Sequence, residues 1–88
     1  MQVYEEPIEV RPGEVSGIQA PALFLWRDRL WSVRSVETRW VATDSAEVLT
    51  EEEVWRVVAA NGRNGTHGVY ELTCALSTGA WRLSRVVG

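Results

Sequence analysis

The sequence predicts an all-β domain: an antiparallel meander of five strands plus a short N-terminal one, coiled into a small barrel or half-barrel with β-bulges. Three features carry that expectation. Trp26, Trp31, Trp40, Trp55 and Trp81 each sit in a short run of alternating apolar and polar residues. Clusters of turn-forming residues separate those runs at short intervals. No amphipathic stretch is long enough to supply a helix that would cover a tryptophan-rich sheet, so the sheet must roll up on itself or pair with a second copy. The 88 residues make one domain. At this size folding buries only about 60–65% of the surface of the extended chain, so large side chains must carry much of the stability.

Taken in order, residues 1–19 are rich in Pro, Gly and Glu, which predicts a partly mobile segment with a short strand near 6–11, kept to an edge by Pro7 and Pro12. The runs Ala20–Trp26 and Leu30–Thr43 flank Arg27-Asp28-Arg29, too short for anything but a tight hairpin. A two-residue turn at Asp28-Arg29 sets Trp26 opposite Trp31 and Phe24 opposite Val33, all on one face. Val36 and Trp40 fall on the other parity, and one extra residue near Arg34-Ser35 restores them to that face, so a bulge is expected there. Between Asp44 and Glu53 the pattern allows at most a turn of helix before the strongly β run Val54–Val58.

Glu53–Ala60 and His67–Leu76 form the next hairpin around the loop 61–66. Pairing Ala60 with His67 places Val57 opposite Tyr70 and Trp55 opposite Leu72, and brings Arg56 and Glu71 together on the other face. A last turn at Thr78-Gly79 sets Leu76 against Trp81 and Cys74 against Leu83. Beyond Leu83 the parity slips, which a second bulge near Ser84-Arg85 repairs.

All nine basic residues are arginine and the net charge is −3, which argues against sequence-independent duplex binding. The charge is unevenly spread. Residues 1–20 and 44–60 hold most of the acids, whereas 21–43 and 61–88 each sum to +2. The start of the chain lacks the basic and apolar regions of a signal peptide, no run approaches the roughly 20 apolar residues of a membrane span, and a single cysteine excludes an intramolecular disulfide. A cytoplasmic protein that does not enter membranes is the expectation.

No motif brings recognisable chemistry. His67 and Cys74 lie seven residues apart on one strand, on opposite faces, so they make neither a dyad nor a metal site, and no cofactor is expected. Glu51, Glu52 and Glu53 read as a solubilising loop, and Gly62, Gly65 and Gly68 match no phosphate-loop spacing. Asn64-Gly65-Thr66 fits a glycosylation acceptor that a cytoplasmic protein would not use. The tryptophans are expected in the core, Trp40 least firmly because its burial depends on the bulge. The outer face would then carry Arg34, Arg39, Arg56 and Arg82, which with Trp40 form a candidate binding face for phosphate, an acidic peptide or single-stranded nucleic acid. A small-ligand barrel leaves little interior once the indoles are placed.

Pro21-x-x-Phe24-x-Trp26-Arg27-Asp28-Arg29, Val33, Val36, Trp40, Trp55-Arg56-Val57, Gly68-Val69-Tyr70-Glu71-Leu72 and Trp81-Arg82-Leu83-x-Arg85-Val86 together resemble a small actinobacterial family of unknown function. The likeness spans residues 6–87. It departs at Asp28, where glycine is expected, and at Thr73-Cys74, where a further aromatic is expected. Genes of that family lie near those of error-prone, translesion DNA polymerases. The resemblance implies an accessory role in DNA damage tolerance and transfers no active site. The leading expectation is thus a non-catalytic protein-interaction module, monomeric or homodimeric, with single-stranded nucleic-acid binding as the alternative.

Overall fold

The computed structural model describes residues 2–44, 50–62 and 67–88. Among the described residues six antiparallel strands follow one another without helices: β1 (Gln2–Val15), β2 (Ile18–Trp26), β3 (Arg29–Asp44), β4 (Thr50–Asn61), β5 (His67–Ala75) and β6 (Trp81–Val86). Each pairs with its neighbour in sequence, and β1 also pairs with β6, which closes the hydrogen-bonded ring.

β1 closes the ring by dividing its length. Gln2–Ile8 lies along β6 and Glu9–Val15 lies along β2. The short N-terminal strand expected near 6–11 is therefore the middle of a 14-residue strand. Two irregularities interrupt β1. Glu5 has a φ of 60° at the shift between Val3 and Glu6, and Pro12 faces Pro21, where neither nitrogen can donate, at the shift after Arg11.

The β2–β3 turn is Arg27-Asp28, with φ of 52° and 61°. Positive φ at both central residues is the type I′ geometry whose twist suits a two-residue hairpin. Phe24 consequently faces Trp31 and Trp26 faces Arg29. The turn expected at Asp28-Arg29 thus lies one residue earlier and the pairing moves by two places, and a shift of two preserves which face each side chain occupies. The β5–β6 connection, by contrast, is longer than a turn at Thr78-Gly79: Ala75 N–H donates to Ala80 O at 2.9 Å, and Cys74 faces Trp81 while Leu72 faces Leu83.

The β4–β5 register agrees with the sequence throughout, including Arg56 opposite Glu71. Both expected bulges are present. One leaves Arg34 as the extra residue between Val33 and Ser35. The other leaves Ser84 extra, where its hydroxyl donates to Glu71 O at 3.0 Å and accepts from Thr73 Oγ1 at 2.8 Å. A further bulge in β3 was not foreseen: Glu37 is extra between Val36 and Thr38. Residues 45–49 and 63–66, which include part of the allowed helical turn and most of the glycine-rich loop, lie outside the described residues.

Inside the ring, Phe24, Val57, Ala59, Leu72 and Leu83 are almost fully excluded from water, and Trp26 and Trp55 are buried with them. Trp31 and Trp81 pack against this core as half-buried rings. Phe24, Trp26, Trp31 and Tyr70 form one aromatic cluster, with Phe24 stacked on Trp31 at 6.1 Å and Trp31 5.2 Å from Tyr70. Two indole N–H groups in it find acceptors, Trp26 on Glu6 at 3.0 Å and Trp31 on the Trp26 carbonyl at 3.4 Å.

Candidate functional site

The five residues of the expected binding face do not share a face. The bulge at Glu37 reverses the parity of the rest of β3, so Trp40 pairs with Val54 on the outside and Arg39 pairs with Trp55 on the inside. Trp40 is accordingly exposed, and the Arg56 guanidinium lies 5.6 Å from its ring centre. Arg39 sits 5.3 Å over Trp55 and bonds Glu53, whose other oxygen accepts the Trp55 indole N–H at 2.6 Å.

Most of the expected cations are also engaged. Arg56 bonds Glu71, a carboxylate only 5% exposed that Arg85 also approaches at 3.8 Å. Arg82 bonds both oxygens of Glu52, at 2.7 and 3.0 Å, and also reaches Glu5. Its bond to Glu52 raises the pKa of Arg82, and the same bond holds Glu52 below the ordinary carboxylate range. Arg34 alone of the four predicted arginines has no ion pair among the described residues.

His67 is exposed and faces Ala60 on the outside, whereas Cys74 is buried on the inside, where loss of water raises its thiol pKa. Among the described residues no three His, Cys, Asp or Glu side chains converge on a point that would hold a metal ion, and no helix is long and apolar enough to cross a membrane.

A different surface emerges on the outer face of the β2–β3 hairpin. Leu25 and Leu30 are directly opposed across the two strands and are 41% and 56% exposed. Leu23 continues the row on β2, half-buried, opposite Ser32. The leucines separate two hollows. One, of about 150 Å³, is walled by Glu9, Arg11 and Leu25, and the other, of about 410 Å³, by Ser32, Arg34, Asn61 and Gly62. Leu23 and Leu30 line both. The remaining exposed large apolar side chains are dispersed: Ile18 at the β1–β2 turn, Leu76 in the β5–β6 loop, Trp40 and Val41 far along β3.

The charges beside these leucines are available. Arg27, Arg39, Arg56, Arg82 and Arg85 all reach a carboxylate, whereas Arg11, Arg29 and Arg34 have no ion pair among the described residues. Arg11 and Arg34 line the two hollows of this hairpin, and Arg29 lies at its turn on the parity of Trp26. A signal for the surface is present in the sequence. Leu23-Phe24-Leu25-Trp26 and Leu30-Trp31 are apolar at both parities, so the hairpin offers an apolar row to each of its faces.

A family model for a domain of unknown function, DUF6504, matches residues 1–88. The chain belongs to that family. No curated protein and no solved structure matches it. In this DUF6504 domain the match covers all six strands, the aromatic cluster and the leucine surface alike.

Proposed function

We propose that this DUF6504 domain is a non-catalytic protein-interaction module that docks a partner on the outer face of its β2–β3 hairpin. The observation that carries the reading is the Leu25–Leu30 pair. Two large aliphatic side chains stand exposed side by side on a small domain that buries Leu72 of β5 and Leu83 of β6 completely. Contiguous exposed apolar surface of this kind marks interaction sites. Resemblance to an actinobacterial family encoded near error-prone polymerases supports an accessory role in cytoplasmic DNA damage tolerance.

Single-stranded nucleic-acid binding draws less support. Three of its four predicted arginines are neutralised by glutamates, and Trp40 shares its outer face with paired Arg56.

The test is site-specific photo-crosslinking in the native cell. A photoreactive residue at position 30 should yield one discrete protein adduct, and the same residue at the exposed Glu14 should not. Absence of an adduct at position 30, or adducts equally strong from both positions, rejects the docking surface. For the damage-tolerance role, Leu25→Asp with Leu30→Asp should fail to restore damage-induced mutagenesis to a deletion strain. Full restoration rejects that role for the surface.

A further inference from the structure

Resting on the interaction reading above, we infer that the hairpin's partner is an acidic amphipathic segment of another protein: apolar anchors that seat on Leu23, Leu25 and Leu30, with carboxylates on both sides that meet Arg11 and Arg34. The geometry provides the frame. Arg11 lies on β1 opposite Leu23 and lines the smaller hollow, and Arg34 lies two residues beyond Ser32 on β3 and lines the larger one. Two steps across the sheet and two along the strand separate their backbones by about 12 Å. That is the rise of roughly eight helical residues, or two turns. A helix with acids seven or eight places apart and apolar side chains between them at i+3 and i+4 satisfies both arginines while its apolar stripe covers the leucines.

The charge pattern selects this occupant over the others. A second copy docking through the same face would bring Arg11 and Arg34 of both copies into one interface with Glu9 as the only carboxylate lining either hollow, and like charges across an interface oppose association. A nucleic acid would satisfy the arginines but gain little from three aliphatic side chains, because bases stack on aromatic rings and none is exposed on this hairpin surface. The arginines of the rest of the described chain are already held by glutamates, so the available positive charge is concentrated where the apolar side chains are exposed. Glu9, on the wall of the smaller hollow, sets a polarity. It repels an acid placed on its side of Leu25 more than one placed over Arg11.

The experiment uses the whole domain and two synthetic helical peptides, one with two leucines between glutamates seven residues apart, the other with lysines in place of the glutamates. Amide shifts are followed by NMR. The acidic peptide should move the signals of Arg11, Leu23, Leu25, Leu30 and Arg34 and bind roughly tenfold or more tightly than the lysine peptide. Arg11→Glu with Arg34→Glu should reverse that order while leaving the spectrum folded. Equal binding of both peptides, or of neither, overturns the acidic class. The interaction reading then stands or falls separately on the position-30 crosslink. A single-stranded oligonucleotide that moves the same signals at lower concentration than the acidic peptide overturns the proposal in favour of nucleic acid.

Discussion

Arg56 donates two hydrogen bonds to one carboxylate oxygen of Glu71, from Nε at 3.0 Å and from Nη2 at 2.6 Å, at a directly opposed pair on the outer face of β4 and β5. The pair is asymmetric in its exposure. The Arg56 side chain is about one-third exposed and that of Glu71 is 6% exposed, so the carboxylate depends on its partner far more than the guanidinium does. Removing the arginine strands a buried charge that Arg85, at 3.8 Å, only partly meets. Arg56→Ala should therefore cost about 2–3 kcal/mol in urea denaturation. The double change Arg56→Leu, Glu71→Leu should cost less than that single one, because it removes both charges together. A single variant within about 0.5 kcal/mol of wild type would show that Glu71 is solvated without Arg56.

Two tryptophans that the sequence pattern assigns to the core, Trp40 less firmly than Trp26, should separate in the same measurement. Trp26 is 8% exposed, contacts Tyr4, Trp31 and Tyr70, and donates its indole N–H to Glu6. Trp40 is 37% exposed. Trp26→Ala should cost roughly 3–5 kcal/mol, and Trp40→Ala under about 1 kcal/mol. Similar losses at both would place Trp40 in the core.

The difference between those residues marks the limit of what parity reveals. Local pairings were legible where chemistry and loop length agree: the Arg56–Glu71 match sets β4 on β5 correctly. Bulges were legible at Arg34 and Ser84, where the apolar pattern visibly slips. The bulge at Glu37 leaves no such trace, because its effect is to return a hydrophobic residue, Trp40, to the solvent side and to turn Arg39 inward over Trp55. A pattern rule reads tryptophan as core and arginine as surface, so it hides that inversion. The leucine surface was missed for a related reason. In a run apolar at both parities, Trp26 and Trp31 account for the core face, and the residues between them attract no attention.

Acid stability should depend on the Glu52–Arg82 pair. The guanidinium bond lowers the Glu52 pKa from its ordinary 4.5, so the folded state binds that proton less readily than the unfolded chain. Its contribution is fully present above the unfolded value and is lost as pH falls through the lowered folded value. Glu52→Gln should therefore narrow the stability difference between neutral pH and pH values below about 4. Parallel acid-limb profiles for wild type and variant would mean that the pair does not couple to folding.

The leucine surface should contribute little to the fold that displays it. Leu30 is 56% exposed, so Leu30→Ser should change stability by under about 0.5 kcal/mol while weakening any partner held by the hairpin. A thermal midpoint several degrees lower would mean that Leu30 is structural, and would remove the clearest reason for assigning it to an interface.

The turn that presents this surface carries a correctable strain. Arg27 and Asp28 both occupy positive φ, at 52° and 61°, where a side chain crowds the backbone at a cost of roughly 1–2 kcal/mol per residue. Aspartate tolerates that region better than arginine, and glycine better than either, although glycine gives back part of the gain through the greater freedom of its unfolded chain. At the second central position of a type I′ turn the balance favours glycine. Asp28 is exposed and forms no ion pair among the described residues, so nothing else is lost with its side chain. Asp28→Gly should therefore stabilise the domain by about 0.5–1 kcal/mol, read as a higher urea midpoint at unchanged slope. Because the turn geometry is kept, Leu25 and Leu30 stay opposed and affinity for the acidic peptide should be unaltered. A midpoint that falls instead would show that Asp28 supports the hairpin through its side chain.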